Sequence, residues 1–321
     1  MPEPSLSSPP EDTIFGEGGS AAVYVDAADS IARSDGEVVG RKVRKPLEIG
    51  FFLSVGWVVL VTFMAAFAAY LPFVKDPNKI NNAFKAAPST EYWFGTDNIG
   101  RDIFSRVVYG GRMSLLIAAT AIVVGLALGG LFGLMAGYYG RRTDRVISAG
   151  TDVLLAFPAL VLTLALVGVL GERPWFADKR AWLVIASLAI LSIAPLTRIV
   201  RASTLVYSQR EFVMAARSLG ARNRRIMVRE VLPNVVPSMV SFALTGLALL
   251  IIAEGALAFL GQSVKVPTPT WGLMINEGRQ NLSDAPWISL MPAAVMFLTI
   301  LAFNLIGDVL SKRFDIKESL L

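Results

Sequence analysis

Two carboxylates, Glu254 and Asp308, stand inside long apolar runs of this chain. An ionisable group at membrane depth is costly, so by default it marks a pathway, a gate or a relay. Glu254 lies nearer one end of its run, where snorkelling or a pair with Lys265 or Arg279 is the competing explanation. Thr163, Ser241, Thr245 and Asn304 add hydroxyl and amide groups in neighbouring runs. With Glu254 they could line a polar translocation pathway, although Ser and Thr also bond their own helix backbone. Other chemistry is sparse. The 321 residues include no Cys and no His, which removes thiol nucleophiles, disulfides and thiolate or imidazole metal ligands. No paired acids stand at a catalytic spacing, which argues against a membrane-embedded enzyme and leaves no catalytic residue to name. No G-x-x-x-x-G-K-[ST] occurs, so nothing in the sequence cradles the phosphates of ATP.

The segment from Ser208 to Gly220 holds a different kind of signal. Ser208 followed three residues later by Glu211 predicts a capping box and a helix start. Gly220 fits a left-handed stop. Between them Phe212, Ala215, Ala216 and Leu219 recur at i, i+3, i+4 and i+7, one apolar stripe on a short helix outside the bilayer. The small Ala pair lets a partner surface approach closely. A second, basic helix is predicted over 223–231, leading into Leu232-Pro233. The plain reading is a helix lying on the membrane face; the sharper one is a docking helix that enters a groove on a cytosolic partner.

The elements that carry these residues follow from hydropathy. Hydrophobic residues make up 54% of the chain and charged residues 17%, against about a quarter charged in soluble domains. The mean hydropathy is +0.56. Apolar runs at 49–73, 113–137, 146–170, 182–200, 235–260 and 288–310 are each near the roughly 20 residues needed to cross a bilayer. The expected architecture is an all-α integral membrane protein with six transmembrane helices, in which Pro158 and Pro195 interrupt the third and fourth. Gly125, Gly129, Gly133 and Gly137 repeat every four positions, a pattern for close helix packing within the chain or against a partner. Apolar residues at 99, 103, 104, 107 and 108 share a face, and Asp102 with Arg106 forms an i,i+4 pair, so a separate interfacial helix is expected over 99–113. Trp93, Trp271 and Trp287 suit the headgroup belt.

Residues 1–45 are rich in Pro, Ser, Gly and acidic groups and read as a disordered tail. The first apolar run is too long for a signal-peptide core, and is read as an uncleaved span. With the N-terminus inside, 19 of the 30 Lys and Arg residues fall on inner segments and 11 on outer ones. That bias puts both termini in the cytoplasm, including a short tail at 316–321. The net charge of +5 then reflects membrane topology and not a nucleic-acid surface.

Ala215-Ala216, then Gly220, then Leu232-Pro233 resembles the cytoplasmic loop signature of binding-protein-dependent ABC importers. Phe94-Gly95-Thr96-Asp97-Asn98-Ile99-Gly100-Arg101-Asp102-Ile103-Phe104-Ser105-Arg106 is similar to the stretch G-T-D-x-x-G-R-D-x-x-S-R of the C-type permeases for peptides and nickel. Asp152-Val153-Leu154-Leu155-Ala156-Phe157-Pro158, Phe259-Leu260-Gly261, Pro267-Thr268-Pro269-Thr270-Trp271-Gly272 and Phe303-Asn304-Leu305-Ile306-Gly307-Asp308 match further segments, so the likeness spans about residues 45–315. Two departures stand out: Met214 replaces the acid that usually precedes the Ala pair, and Gln262-Ser263 replaces Leu-Gly.

The resemblance implies a type I ABC importer permease fold, with a permease domain over 46–315 and a coupling loop at about 205–233. It implies that Glu211, Phe212, Ala215, Ala216, Arg217, Leu219, Gly220 and Arg222 meet an ATPase. It further implies a homologous B-type permease as heterodimer partner, two cytosolic ABC ATPase domains that hold ATP and Mg, and an extracytoplasmic peptide-binding protein. The expected location is the bacterial cytoplasmic membrane and the expected cargo a dipeptide or oligopeptide, with glutathione or nickel as alternatives. A secondary transporter is the rival of another class; it would need midplane ion ligands in inverted repeats, and no such repeat is visible.

Overall fold

The computed structural model describes residues 47–176 and 179–318, so the expected tail at 1–45 lies outside the described residues. Ten α-helices are present among them. Helix α1 spans Leu47–Phe67, α2 Ile103–Tyr139, α3 Arg141–Ala156, α4 Ala159–Gly171 and α5 Arg180–Ser208. Short helices follow, α6 at Glu211–Ser218 and α7 at Asn223–Ile226. Then come α8 at Leu232–Phe259, α9 at Trp271–Gly278 and α10 at Trp287–Glu318. Five rods are long and apolar enough to cross a membrane, and the bent pair α3–α4 makes six if counted as one span.

Three boundaries differ from expectation. The separate helix over 99–113 does not exist; from Ile103 onward that stretch is the opening of α2, whose 37 residues extend about 55 Å. Gly110 and Gly111 do not break it, because they are where the Trp271 ring and the Thr270 backbone press on the helix. Pro158 interrupts the third span as expected, where α3 and α4 meet at 82°. Pro158 lacks an N–H and holds Phe157 in extended backbone at φ −86°, ψ 136°, as the residue before proline prefers. Pro195, by contrast, leaves α5 continuous. The basic helix at 223–231 is not separate from the fifth span. It runs through a π turn at Met227–Val231 into α8, one rod from Asn223 to Phe259. Pro233 cannot donate to the Arg229 carbonyl four residues back, and the adjacent Glu230 carbonyl accepts from Asn234 Nδ2 at 2.6 Å. A local widening at such a point is the usual response. The last helix continues to Glu318, so part of the expected tail at 316–321 is helical.

The centre of the molecule is the pairing of α2 with α5. A Cβ placed on Gly129 would lie 2.8 Å from the Ile193 carbonyl, on Gly133 2.7 Å from the Thr197 carbonyl, and on Gly137 2.8 Å from the Arg201 carbonyl. The glycine ladder therefore packs inside the chain, backbone to backbone, and it meets α5 on both sides of Pro195, through which that helix stays continuous. Helix α1 lies at the periphery with most of its apolar side chains exposed. It is tied to α10 by a hydrogen bond from Trp57 Nε1 to Thr299 Oγ1 at 3.1 Å.

Candidate functional site

Helix α6 lies between the ends of α5 and α7, one face packed on the long rods and the other exposed. Its start is not the expected capping box. Helix α5 runs on through Ser208, whose hydroxyl donates to the Leu205 carbonyl at 3.0 Å within that helix, and the N-cap position falls to Arg210 without a side-chain bond. Glu211 still sits in the first turn, where a carboxylate favours the positive end of the helix dipole. The stop is as expected. Gly220 adopts φ +78°, its N–H donates to the Arg217 carbonyl at 3.0 Å and that of Ala221 to the Ala216 carbonyl at 3.1 Å, the Schellman arrangement.

The two faces of α6 do different work. Val213 is fully buried among Leu134, Val200, Ile226, Val231 and Val235, and Ala216 packs against the same cluster. This anchor joins α2, α5, α7 and α8 beneath the short helix. Phe212, Met214, Ala215 and Leu219 point away from it, and Leu219 is 88% exposed. The expected stripe is thus divided: Phe212, Ala215 and Leu219 form an outward apolar edge, while Ala216 turns inward. Val213 escaped the sequence reading because the stripe was drawn through the wrong neighbours; its i,i+3 relation to Ala216 was the available signal. Arg217 on this helix, and Arg222, Arg224, Arg225 and Arg229 in the segment after it, are exposed. Tyr138 Oη donates to Asn223 Oδ1 at 3.1 Å, joining the end of α2 to the start of α7.

The opposite end of the bundle holds two polar networks. Glu254 is 1% exposed and pairs with neither Lys265 nor Arg279. Its carboxyl accepts from Ser263 Oγ at 2.8 Å and Ser114 Oγ at 3.1 Å. Ser114 Oγ in turn accepts from the Trp271 N–H at 3.2 Å. One buried acid thereby joins α2, α8, the loop after α8 and the start of α9, whose N-cap is Thr270. The departure at Gln262-Ser263 acquires a reason. Ser263 serves Glu254, and Gln262 Oε1 accepts from Arg180 Nη2 at 2.7 Å.

The second network was missed by sequence reasoning. Arg106 does not pair with Asp102, which instead caps α2 by accepting from the Ser105 N–H at 2.8 Å. Arg106 is 1% exposed and donates to Asp97 at 2.7 Å and Glu277 at 2.9 Å. Arg101 meets the same two acids at 2.6 and 3.2 Å. Two cations and two anions balance, as buried charges must. The network clamps the segment before α2 onto α9.

The remaining pathway candidates do not converge. Thr163 bonds its own helix carbonyls at 3.1 and 3.0 Å, Asn304 donates to the Ile300 carbonyl at 3.0 Å, and Asp308 is exposed on α10. Ser241 is buried with its hydroxyl unpaired. Thr245 alone of these lines an apolar cavity of about 490 Å³ between α2, α3–α4, α5 and α8.

Residues 129–316 match the family described as binding-protein-dependent transport system inner membrane component. The chain is 42% identical over 266 residues to the glutathione transport system permease protein GsiD of Escherichia coli O157:H7, covering 81% of this chain and 84% of that one. It is 37% identical over 279 residues to the dipeptide transport system permease protein DppC of Alkalihalophilus pseudofirmus, covering 86% and 90%. Among solved structures, an inward-facing MetNI methionine ABC transporter superposes with a TM-score of 0.53 at 16% identity, over 66% of this chain and 97% of that one; it speaks for the fold alone. The family match, the breadth of the relatives and the bundle of apolar rods agree: this chain belongs to the binding-protein-dependent transport system inner membrane components, the multi-pass permeases of ABC importers.

Proposed function

We propose that the chain is one permease half of an ATP-driven importer of short peptides, and that α6 is the lever through which an ATPase moves it. The observation that carries the second part is the outward edge of Phe212, Ala215 and Leu219. An exposed apolar edge on an eight-residue helix, set on a buried anchor and followed in sequence by exposed arginines, has the form of a helix that seats in a partner's groove. The Lys and Arg bias supports a cytoplasmic location for this end of the bundle and for both termini.

The partners of this reading are a homologous B-type permease, two cytosolic ABC ATPase domains that bind ATP and Mg, and an extracytoplasmic peptide-binding protein. Hydrolysis belongs to the ATPase domains. Nucleotide closure drags α6, and the Val213 anchor passes that motion directly to α2, α5 and α8, opening the pair of permeases to receive peptide from the binding protein. Relatives named for dipeptide and for glutathione transport support a short peptide or γ-glutamyl peptide as cargo. Reconstitution of the complete complex in proteoliposomes, with uptake of alanyl-alanine and of glutathione compared, tests it. ATP-dependent accumulation of either supports the reading; uptake driven by a proton or sodium gradient without ATP refutes it.

A further inference from the structure

Helix α1 leaves a gap behind it. Its inward face, Trp57, Leu60, Val61 and Met64, recurs at i, i+3, i+4 and i+7 and lines a crevice of about 110 Å³. Phe104 and Val108 of α2 and the Trp271 ring line it too. Its two indole N–H groups are spent elsewhere: Trp57 Nε1 donates to Thr299 Oγ1, and Trp271 Nε1 to the Val107 carbonyl at 2.9 Å. An apolar void of this kind stays dry and takes apolar matter. What it opens onto follows from α1 itself. The helix has 21 residues, about 32 Å, which matches the hydrocarbon layer. Its other sides carry exposed Phe52, Leu53, Val59 and Phe63, so α1 is bounded by lipid. Leu60 lines the crevice and is itself half exposed, so the mouth lies among acyl chains.

The rim beyond the end of α1 is aromatic and cationic. Trp93, half exposed, packs on Phe104 with ring centroids 4.7 Å apart and stacks on Phe73 at 5.7 Å. Exposed Trp at the end of a span suits the headgroup level. The Lys75 N–H donates to Ser105 Oγ, beside Phe104, at 2.8 Å. The Lys75 ammonium donates to the Glu91 carbonyl at 2.8 Å and lies 4.2 Å from the centre of the Tyr92 ring. An ammonium carries three donors, so a donor remains on a side chain that is already held in place. Residues 70–94 contain three lysines against two acids, and Asp76 accepts from the Asn78 N–H at 2.9 Å. We infer that the crevice and its rim hold one phospholipid: an acyl chain enters between α1 and α2 as far as Val108, and Lys75 meets the phosphate. The lipid then fills space that side chains leave empty and fastens α1 to the bundle. This uses the membrane family of the chain alone and is independent of cargo.

The assembled importer is placed in vesicles of phosphatidylethanolamine and phosphatidylglycerol with a trace of phosphatidylglycerol bearing a mid-chain diazirine, irradiated, and mapped by peptide mass spectrometry. Lipid against the outside of α1 reaches Phe52 and Leu53. Val107 and Val108, 4% and 7% exposed, are reached only from within the crevice. Label is expected on both sets. Labelling of Val107 and Val108 should fall at least five-fold when the same diazirine chain is carried by a diacylglycerol, which lacks the phosphate, with Phe52 unchanged. Lys75→Ala, and Leu60→Trp at the mouth, should lower it to a similar degree in complexes that assemble normally. Label confined to Phe52 and Leu53 overturns the inference, and so does labelling of Val108 that is as strong with the diacylglycerol as with the phospholipid. Both of these comparisons are made on the native chain, so a variant that fails to fold does not blunt them.

Discussion

Replacing Asp97 by Asn preserves the shape of the side chain and removes one charge from a cluster that is neutral as built. Asp97 Oδ2 accepts from Arg101 Nε at 2.6 Å and Arg106 Nη1 at 2.7 Å, and Oδ1 accepts from the backbone N–H groups of Ile99 at 3.0 Å and Arg101 at 2.9 Å. In Asp97→Asn two buried guanidinium groups share the single carboxylate of Glu277. Arg106 already holds one buried nitrogen, Nε, without a partner, so it has no reserve. Breaking a buried charge pair from one side costs about 3–5 kcal/mol. Glu277 still contacts both arginines, which places the expected loss near the lower figure. At roughly 2–4 °C per kcal/mol for a chain of this size, thermal unfolding of the purified complex should begin ~6 °C or more below wild type. Restoring neutrality with Arg101→Gln in the same chain should recover at least half of that. A midpoint within 2 °C of wild type for Asp97→Asn, or a double variant worse than the single, would refute the reasoning that charge balance holds α9 on α2.

Gly133→Val should unfold or misassemble the chain, because its Cβ would stand 2.6 Å from Val200 Cβ and 2.7 Å from the Thr197 carbonyl; overpacking of about 1–3 kcal/mol or more is expected, read as lost membrane-inserted protein. Ser263→Gly should lower the unfolding midpoint by the equivalent of about 1–3 kcal/mol by stripping a donor from buried Glu254, and Glu254→Gln should be milder than Glu254→Ala in the same thermal assay. Ala215→Trp should leave the fold and insertion intact, since Ala215 is exposed, yet abolish peptide-stimulated ATP hydrolysis by the complex. Gly220→Ala meets no neighbour and should cost only about 1 kcal/mol of backbone strain, visible as a small shift in the same unfolding curve and no loss of assembly.

Hydropathy and length made the rods legible, because lipid demands continuous apolar helices and leaves few alternatives. The glycine ladder was legible too, as a spacing that only close packing rewards. What the sequence obscured were choices settled by tertiary neighbours. Pro158 and Pro195 look alike locally, yet α5, packed on the α2 glycines, stays helical through the second. Ser208 has the pattern of a cap, but α5 continues past it and takes its hydroxyl. Arg106 lies four residues from Asp102, yet its partners are Asp97 and Glu277, the latter from 171 residues away. The departure at Gln262-Ser263 was visible as a departure. Its meaning required the positions of Glu254 and Arg180.

The most direct trial of the central claim joins Leu219→Cys to a single cysteine at the rim of the groove on a cysteine-free ATPase subunit, with disulfide formation followed in membranes. A short helix that transmits work must touch the ATPase, so rapid cross-linking is expected, at a rate that changes when nucleotide is trapped. A thiol at Leu219 that reacts only with reagents added outside the cell, or that meets no ATPase under any nucleotide condition, contradicts the account.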